Sequence, residues 1–324
     1  MTANLAVCYV ADVNFLVGTL ISLRSLRRFV PPAEAEIHVF FLNPDMELLE
    51  RIRHSVAGYS ASVHPLIIDD KIDLAAKKWN KTHVPHAALG RFYLEPYLPA
   101  HISRILYIDG DTLVVRDPKD LLDYMPPPDG LAAADDISYF ARNDWSRFGA
   151  RTRSYFSGLG IDGSRGYLNS GLLLARRGAW KRIMDDAIDF FDSHSDRCRY
   201  HDQSALNAVV ATRRVRLSPT WNFQTPFCFW NVAEEIAPHI LHFTEYPKPW
   251  MGATAPWSFV QDLISEAAGE FTALSLPHPR LSNVEAAKYN RQNLRRAWRL
   301  STYAPLRLHA RRREIRRLAA IAAL

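Results

Sequence analysis

Two aspartates lie two residues apart at the end of an apolar segment of the sequence. Asp109 and Asp111 follow the apolar residues 105–108, and Gly110 between them adds no side chain. In extended backbone, residues i and i+2 project to the same side, so both carboxylates can face one cation. Divalent ions such as Mn²⁺ and Mg²⁺ prefer oxygen ligands and usually complete their shell with substrate phosphates. The pair therefore predicts a metal site, although two aspartates that merely end a strand give the same pattern.

A second segment carries groups that suit a metal and a diphosphate. His242 follows a short apolar run, and Lys248 comes six residues later between Pro247 and Pro249. A neutral imidazole can serve as a third metal ligand, and an ammonium supplies a point charge for a phosphate. The prolines would stiffen the loop that presents the lysine. A surface loop with a packed tryptophan is the alternative that this segment leaves open.

Apolar runs alternate with helical patterns over most of the chain. The predicted strands are Leu5–Val10, Glu36–Leu42, Ser62–Ile68, Arg104–Ile108, Leu131–Ala134 and Leu168–Ala175. The predicted helices are Leu16–Arg28, Asp45–Val56, Arg91–Leu98 and Trp180–Phe191. This alternation predicts an α/β layer architecture with a largely parallel sheet. Ligands of such sheets collect outside the carboxyl ends of the strands, where Asp109 and Asp111 would lie.

The positive charge of the chain is concentrated near its C-terminus. The net charge is +6, but residues 286–317 carry eleven Lys and Arg against one acid, a net of +10 that leaves −4 for the remainder. We predict an α/β domain over residues 1–260 and a C-terminal extension over 261–324, of which 286–324 is a basic, partly amphipathic helical tail. Such a tail favours an anionic membrane surface, while nucleic acid is the less favoured partner and a solvated tail stays possible.

Composition and cysteine usage narrow the class of protein. The chain is 48% hydrophobic and 23% charged, which is typical of a globular fold and not of a disordered one. Its three cysteines are far apart and show no CxxC spacing, so neither a disulfide framework nor a zinc-thiolate site is supported. No apolar stretch approaches the roughly 18 residues of a membrane span. We expect a cytoplasmic protein, with the basic tail on the inner face of the membrane.

Four motifs together resemble one enzyme family. Besides the segments around Asp109 and His242, the runs Tyr167–Leu174 and His201–Asn207 match, in order and spacing, the retaining family 8 glycosyltransferases. That family includes bacterial lipopolysaccharide galactosyl- and glucosyltransferases and glycogenin. The resemblance covers roughly residues 4–257. It implies the A-type glycosyltransferase fold, with a single Rossmann-like mixed sheet flanked by helices.

The resemblance also implies how the donor and metal are bound. Asp109, Asp111 and His242 would hold Mn²⁺ or Mg²⁺, and Lys248 would contact a phosphate of a UDP-hexose. The other positions that it assigns to the nucleotide sugar are Asp12, Asn14, Phe15, Arg91, Gly110, Asp135 and Asp136. Asp12 and Asn14 are equally typical of a helix start. His83 is the position that family members place against the acceptor.

The catalytic set implied by the resemblance is Asp202, Gln203 and Asn169, with Asn169 bonding sugar hydroxyls. Many relatives have an acid after this glutamine, whereas this chain has Ser204, which favours attack by the acceptor from the leaving-group face over a covalent intermediate. The segment could also simply begin a helix. Glu245 is a second departure, because relatives often have glycine there and a carboxylate would repel a diphosphate.

The sequence therefore predicts a metal-dependent transferase that moves galactose or glucose from a UDP-sugar to a glycan or glycolipid acceptor such as lipooligosaccharide. Two other classes stay open at this point. A nucleotidyltransferase also places acidic metal ligands on an α/β sheet, but this chain has no clear Gly-rich phosphate loop near its start. A non-catalytic nucleotide or nucleic-acid binder would rely on the basic tail.

Overall fold

A computed structural model of the protein describes residues 3–67, 87–161, 166–277 and 279–322. The strands are β1 (Leu5–Ala11), β2 (Glu36–Leu42), β3 (Ala61–Leu66), β4 (Arg104–Ile108), β5 (Thr112–Val114), β6 (Leu131–Ala133), β7 (Leu172–Arg176), β8 (Arg214–Arg216), β9 (Phe223–Gln224) and β10 (Ile240–His242). The helices are α1 (Leu16–Arg27), α2 (Met46–Val56), α3 (Ala87–Gly90), α4 (Lys119–Asp123), α5 (Ile137–Ala141), α6 (Arg147–Gly158), α7 (Arg177–His194), α8 (His201–Val210), α9 (Thr225–Cys228), α10 (Ala233–Ile236), α11 (Gln261–Glu270), α12 (Asn283–Tyr303) and α13 (Pro305–Ile321).

Among the described residues, seven strands form one sheet in the order β3-β2-β1-β4-β7-β6-β8. The strands from β3 to β4 run parallel, whereas β7 is antiparallel to both of its neighbours. A smaller sheet of β5, β10 and β9 stands beside it. The sheet is therefore mixed, as the family resemblance implied, and less uniformly parallel than the alternation of elements predicted.

The sheet is buried on both faces because its strands alternate between two apolar clusters. In β1, Leu5, Val7 and Tyr9 enter one cluster, and Ala6 and Cys8 enter the other. The first cluster also takes residues of α1 and α2, and the second takes residues of α7 and α8. Such double coverage explains why the strand sequences are continuous apolar runs.

Most predicted elements near the N-terminus are confirmed to within one residue, but two others are wrong. The predicted helix Arg91–Leu98 is a turn followed by a short 3₁₀ helix, Glu95–Tyr97. Pro96 lacks the N–H that an α-helix needs at this position. The predicted strand from Leu168 begins only at Leu172. Leu168 forms an isolated bridge with Asp135, and its backbone bonds the Asn207 side chain at 2.7 and 3.0 Å.

The two C-terminal helices differ in how they join the rest of the molecule. A capping box between Ser282 and Glu285 starts α12, which is described over its whole length and has no buried residue. In contrast, α13 buries Leu308, Ile315 and Leu318 in the same cluster as α1. None of the helices in the described ranges is long and apolar enough to cross a bilayer.

Candidate active site

The sheet brings the ends of three strands together. Because β1 and β4 are parallel, their carboxyl ends lie on one edge, and Asp109 follows β4 there. The antiparallel strand β7 starts at the same edge, where Gly171 O accepts a 2.8 Å hydrogen bond from Asp109 N–H. In the smaller sheet, His242 of β10 pairs with Thr112 of β5, directly after Asp111.

This arrangement gathers the predicted metal ligands. One ligand atom each from Asp109, Asp111 and His242 lie within 4.8 Å of one another. His242 Nε2 is 3.2 Å from Asp111 Oδ1 and 3.7 Å from Asp109 Oδ2. Adjacent ligands of an octahedral Mg²⁺ lie about 3 Å apart, so the spacing suits a divalent cation.

A chain of side-chain amides fixes the tautomer of His242. The carboxylate of Asp136 can only accept, so Asn169 donates its Nδ2 to it at 2.9 Å. Asn169 Oδ1 then accepts from Asn222 Nδ2 at 2.9 Å and from Gly171 N–H at 3.0 Å. Asn222 Oδ1 is left to accept from His242 Nδ1–H at 2.8 Å. Nε2 therefore turns its lone pair toward the two carboxylates, which is the form of imidazole that binds metals.

The donor set and the space around it both fit a divalent ion. A lone pair that faces two carboxylates is repelled by them, and a divalent cation between these groups would turn that repulsion into attraction. Gly171 leaves room for this cluster, since a Cβ atom there would lie 2.2 Å from His242 Cε1 and 2.7 Å from Asp109 Oδ2. Gly110 has a different role, because a Cβ atom there would meet Thr19 of α1 at 2.1 Å.

Arg91 contacts two acids of the site, Asp109 and Asp202. It is buried, donates to Asp109 Oδ1 at 3.1 Å and to Ser170 O, and stacks 4.4 Å above the Tyr107 ring. Its Nε lies 3.5 Å from Asp202 Oδ2. Burial raises the pKa of Asp202, the Asp109 carboxylate adds to the rise, and Arg91 opposes it. Tyr107 O–H also donates to Asp109 Oδ1 at 2.8 Å, which leaves Oδ2 to face His242.

Lys248 lies against Asp111, one of the predicted metal ligands. Its ammonium donates to Asp111 Oδ2 at 2.7 Å and to Phe243 O. Burial alone would raise the pKa of the Asp111 carboxyl, but the ammonium of Lys248 lowers it below its usual range. Asp111 is thus held as an anion beside a fixed cation.

The residues predicted to bind the sugar or to act in catalysis lie in different surroundings. Gln203 lines a cavity beside the cluster of Asp109, Asp111 and His242, where its Oε1 accepts from Ser170 N–H at 3.1 Å. Asp136 also lines that cavity, whereas Asp135 is held between Arg214 and Arg216 at 2.8 and 2.7 Å. The helix start proposed for His201-Asp202-Gln203-Ser204 exists, since α8 begins at His201.

The predicted nucleotide loop follows β1 at the same sheet edge. Asp12 Oδ1 accepts from the backbone N–H groups of Asn14 and Phe15 at 2.9 and 3.0 Å, ahead of α1. These bonds form a turn ahead of the helix, whose N-cap residue is Phe15 and has no side-chain cap, so the helix-start interpretation of Asp12 is not confirmed. Asn14 is exposed. His83, the predicted acceptor residue, lies outside the described residues.

The main cavity has a volume of about 660 Å³ and is lined by the three predicted metal ligands, Arg91 and Gln203. Its lining also includes residues from more distant parts of the chain, namely Phe148 of α6, Trp230, Glu245, and Arg296, Leu300 and Arg311 of the C-terminal helices. The basic extension that the sequence separated from the α/β domain thus contributes to the cavity wall.

Two residues of the site were missed by sequence reasoning. Asn222 lies in no recognised motif, and its link to His242 depends on β9 pairing with β10. Tyr107 reads as one more apolar strand residue until its hydroxyl meets Asp109. In the sequence, the contact between Tyr107 and Asp109 is indicated only by strand alternation, which puts residues 107 and 109 on one face.

Comparison with known proteins identifies the family. A family model described as "Glycosyl transferase family 8" matches residues 6–254. The chain belongs to glycosyltransferase family 8. The prediction of a glycosyltransferase is confirmed, and the two other classes that the sequence left open are set aside.

Sequence relatives of this family 8 enzyme cover most of the chain. General stress protein A of Bacillus subtilis (strain 168) is 26% identical over 267 residues, which span 75% of this chain and 86% of that protein. The lipopolysaccharide glucosyltransferase WaaO of Escherichia coli (strain K12) is 24% identical over 267 residues, or 79% of this chain and 74% of that protein.

Solved structures agree on the fold. The galactosyltransferase LgtC, in complex with donor and acceptor sugar analogs, superposes with a TM-score of 0.65 at 20% identity, over 87% of this chain and 99% of LgtC. The glycosyltransferase GlyE of Streptococcus pneumoniae TIGR4, in its apo form, gives a TM-score of 0.56 at 20% identity, over 87% of this chain and 66% of GlyE. The predicted A-type glycosyltransferase fold is confirmed.

Proposed function

We propose that this family 8 enzyme transfers a hexose, galactose or glucose, from a UDP-sugar with retention of anomeric configuration and with Mn²⁺ or Mg²⁺ as cofactor. The observation that carries the proposal is the cluster of Asp109, Asp111 and His242, with His242 Nε2 turned toward both carboxylates. WaaO and LgtC, named as glucosyl- and galactosyltransferases, support a hexose donor.

Different residues of the site would bind the donor and stabilise the leaving group. A divalent ion held by the cluster would supply positive charge for a departing diphosphate. Lys248 adds a second charge from the loop after β10, so UDP can leave without a proton from an acid. Arg91 holds Asp109 in place, and Asp136 and Asn169 offer oxygen and amide groups to sugar hydroxyls.

Other residues would bind the nucleotide and act near the reacting carbon of the sugar. Asp12, Asn14 and Phe15, at the carboxyl end of β1, would contact uracil and ribose. Asp202 and Gln203 line the cavity at the start of α8. We favour front-face attack by the acceptor, steadied by Gln203, over a covalent intermediate. Mass spectrometry of enzyme quenched with donor is expected to show no glycosyl adduct on residues 201–207, and an adduct there would overturn this mechanism.

Donor choice tests the central part of the proposal. The purified chain should release nucleotide from UDP-glucose or UDP-galactose in the presence of Mn²⁺, and not with chelator or with ADP-glucose and GDP-mannose. Release that is independent of metal, or equal for all nucleotides, would contradict it.

A glycan or glycolipid acceptor at an anionic membrane surface fits the exposed face next to the cavity. Trp145, Tyr303, Leu306 and Arg307 line one shallow cleft beside the turn between α12 and α13, and Trp145 is fully exposed. Aromatic and basic side chains of this kind are typical of membrane interfaces. The patch supports peripheral attachment to the inner face of a cytoplasmic membrane, where a lipooligosaccharide acceptor would be presented.

Vesicle sedimentation tests the attachment. Wild-type protein should pellet with anionic phosphatidylglycerol vesicles more than with phosphatidylcholine vesicles, and Leu306→Ser should weaken the pelleting. Met46→Ser, an equally simple change at an exposed site on α2, is the control. Equal pelleting of wild type with both lipids would contradict membrane attachment.

A further inference from the structure

A set of polar contacts fastens α12 to the loop that follows β10. Arg296 donates to Glu245 Oε2 at 2.6 Å. Further along the loop, Ala255 N–H donates to Asn290 Oδ1 at 2.7 Å, and Asn293 Nδ2 donates to Ala255 O at 2.6 Å. The two asparagines thus satisfy both backbone groups of one loop residue. We call these contacts the α12 clamp.

The clamp occupies one face of the helix. Asn290, Asn293, Arg296 and Leu300 are spaced three, three and four residues apart, which places them on one side of α12. Arg296 and Leu300 of this face also line the main cavity. Since α12 has no buried residue over its described length, these polar contacts and an edge contact between the Tyr246 and Tyr289 rings hold it to the loop.

The contacts of the clamp lie on both sides of Lys248 in the loop, the residue proposed to bind the donor diphosphate. Lys248 lies between the two clamped positions, Glu245 and Ala255, and its ammonium contacts Asp111 Oδ2 at 2.7 Å. A shift of the loop would therefore move the ammonium away from the metal ligands. The pair with Arg296 explains how a glutamate is tolerated at position 245. Arg296 binds its carboxylate, which is then not left facing a diphosphate.

We propose that the α12 clamp positions Lys248 for the donor diphosphate, so that the C-terminal helix sets donor affinity through Glu245, Asn290, Asn293 and Arg296. This inference rests on the proposed UDP-sugar function. The four residues are positioning residues, since they act on the donor through the loop.

A pair of aspartate substitutions tests the clamp at the level of single atoms. Asn290→Asp keeps the oxygen that accepts from Ala255 N–H, whereas Asn293→Asp replaces a donor with a carboxylate against Ala255 O. We expect the KM for donor and the dissociation constant of UDP with Mn²⁺ to rise about tenfold in Asn293→Asp, with a smaller change in kcat. Asn290→Asp should stay close to wild type. Equal weakening of both variants, or none in Asn293→Asp, would overturn the proposal.

A double-mutant cycle tests the ion pair independently. Glu245→Gln and Arg296→Gln should each weaken UDP binding about two- to fivefold, as expected of a partly exposed pair, and the double variant should be no weaker than either single one. Arg295→Gln, the neighbouring exposed arginine on the other face, is the matched control. Additive losses, or equal losses in the control, would overturn the clamp. If wild-type protein binds no UDP with metal, the proposed function itself fails.

Discussion

The orientation of the Asn222 side-chain amide determines which ring nitrogen of His242 is available to bind a metal. Asn222 is oriented by Asn169, which is oriented by the carboxylate of Asp136, so the amide oxygen of Asn222 must face His242 Nδ1. The orienting groups behind metal ligands are often as important as the ligands themselves.

Replacement of Asn222 should therefore weaken metal binding without touching a ligand. We expect Asn222→Leu to lower Mn²⁺ affinity about 10- to 100-fold, measured by calorimetry in the presence of UDP. Asn222→Asp keeps an oxygen opposite Nδ1–H and should lose less. An unchanged affinity in Asn222→Leu would show that His242 does not depend on this bond.

Gly171 gives a second prediction about single residues. A methyl group there would lie 2.2 Å from the His242 ring, so Gly171→Ala should displace the imidazole and abolish metal-dependent UDP binding. Gly158→Ala is the control, because a Cβ atom at that position meets nothing within 4 Å. Equal metal affinity in the two variants would contradict the close packing at the metal site.

At the scale of elements, α13 belongs to the core although its sequence is dominated by arginine. Ile315 is fully buried in the cluster that includes α1, whereas Ile321 of the same helix is 55% exposed. Ile315→Ala should lower the free energy of unfolding by about 2–5 kcal/mol, measured by urea denaturation. Ile321→Ala should change it little. Equal stability of both variants would mean that α13 is not packed on the core.

A pair of histidines between β2 and β3 makes stability depend on pH. Burial, His38 and Arg53 lower the pKa of His64 to about 4 from an ordinary value of 6.5. The unfolded chain therefore takes up the proton first, and stability should fall as pH drops from about 6.5 toward 4. In His64→Gln this fall should be smaller, as measured by urea denaturation at pH 7 and pH 5. The same pH dependence in both proteins would contradict a half-buried, neutral His64.

The sequence predicted those elements whose periodicity is simple. The strands β1, β2 and β4 are continuous apolar runs, and the ligands Asp109, Asp111 and His242 follow recognisable segments, so both were found. Contacts between distant side chains carried no local signal. The backbone of Leu168 bonds Asn207, and Asn222 meets His242 only because two short strands pair. For the same reason, charge counting could not reveal that helices of the basic extension line the cavity.

At the scale of the whole molecule, three separate regions enclose one cavity. Asp109 follows β4 of the large sheet, His242 ends β10 of the small sheet, and Arg296, Leu300 and Arg311 come from the C-terminal helices. Part of the positive charge of the extension is paired with acids of the protein, since Arg311, Arg296 and Arg316 contact Asp144, Glu245 and Glu235.

The central claim is that Asp111 and its neighbours hold the cation that activates a UDP-hexose. The most direct test measures UDP release from UDP-glucose and UDP-galactose with Mn²⁺ or chelator, in wild type, Asp111→Asn and the exposed control Asp117→Asn. We predict metal-dependent release by wild type and by Asp117→Asn, and none by Asp111→Asn. Release that persists in Asp111→Asn, or that is indifferent to chelator, would contradict the proposed metal site.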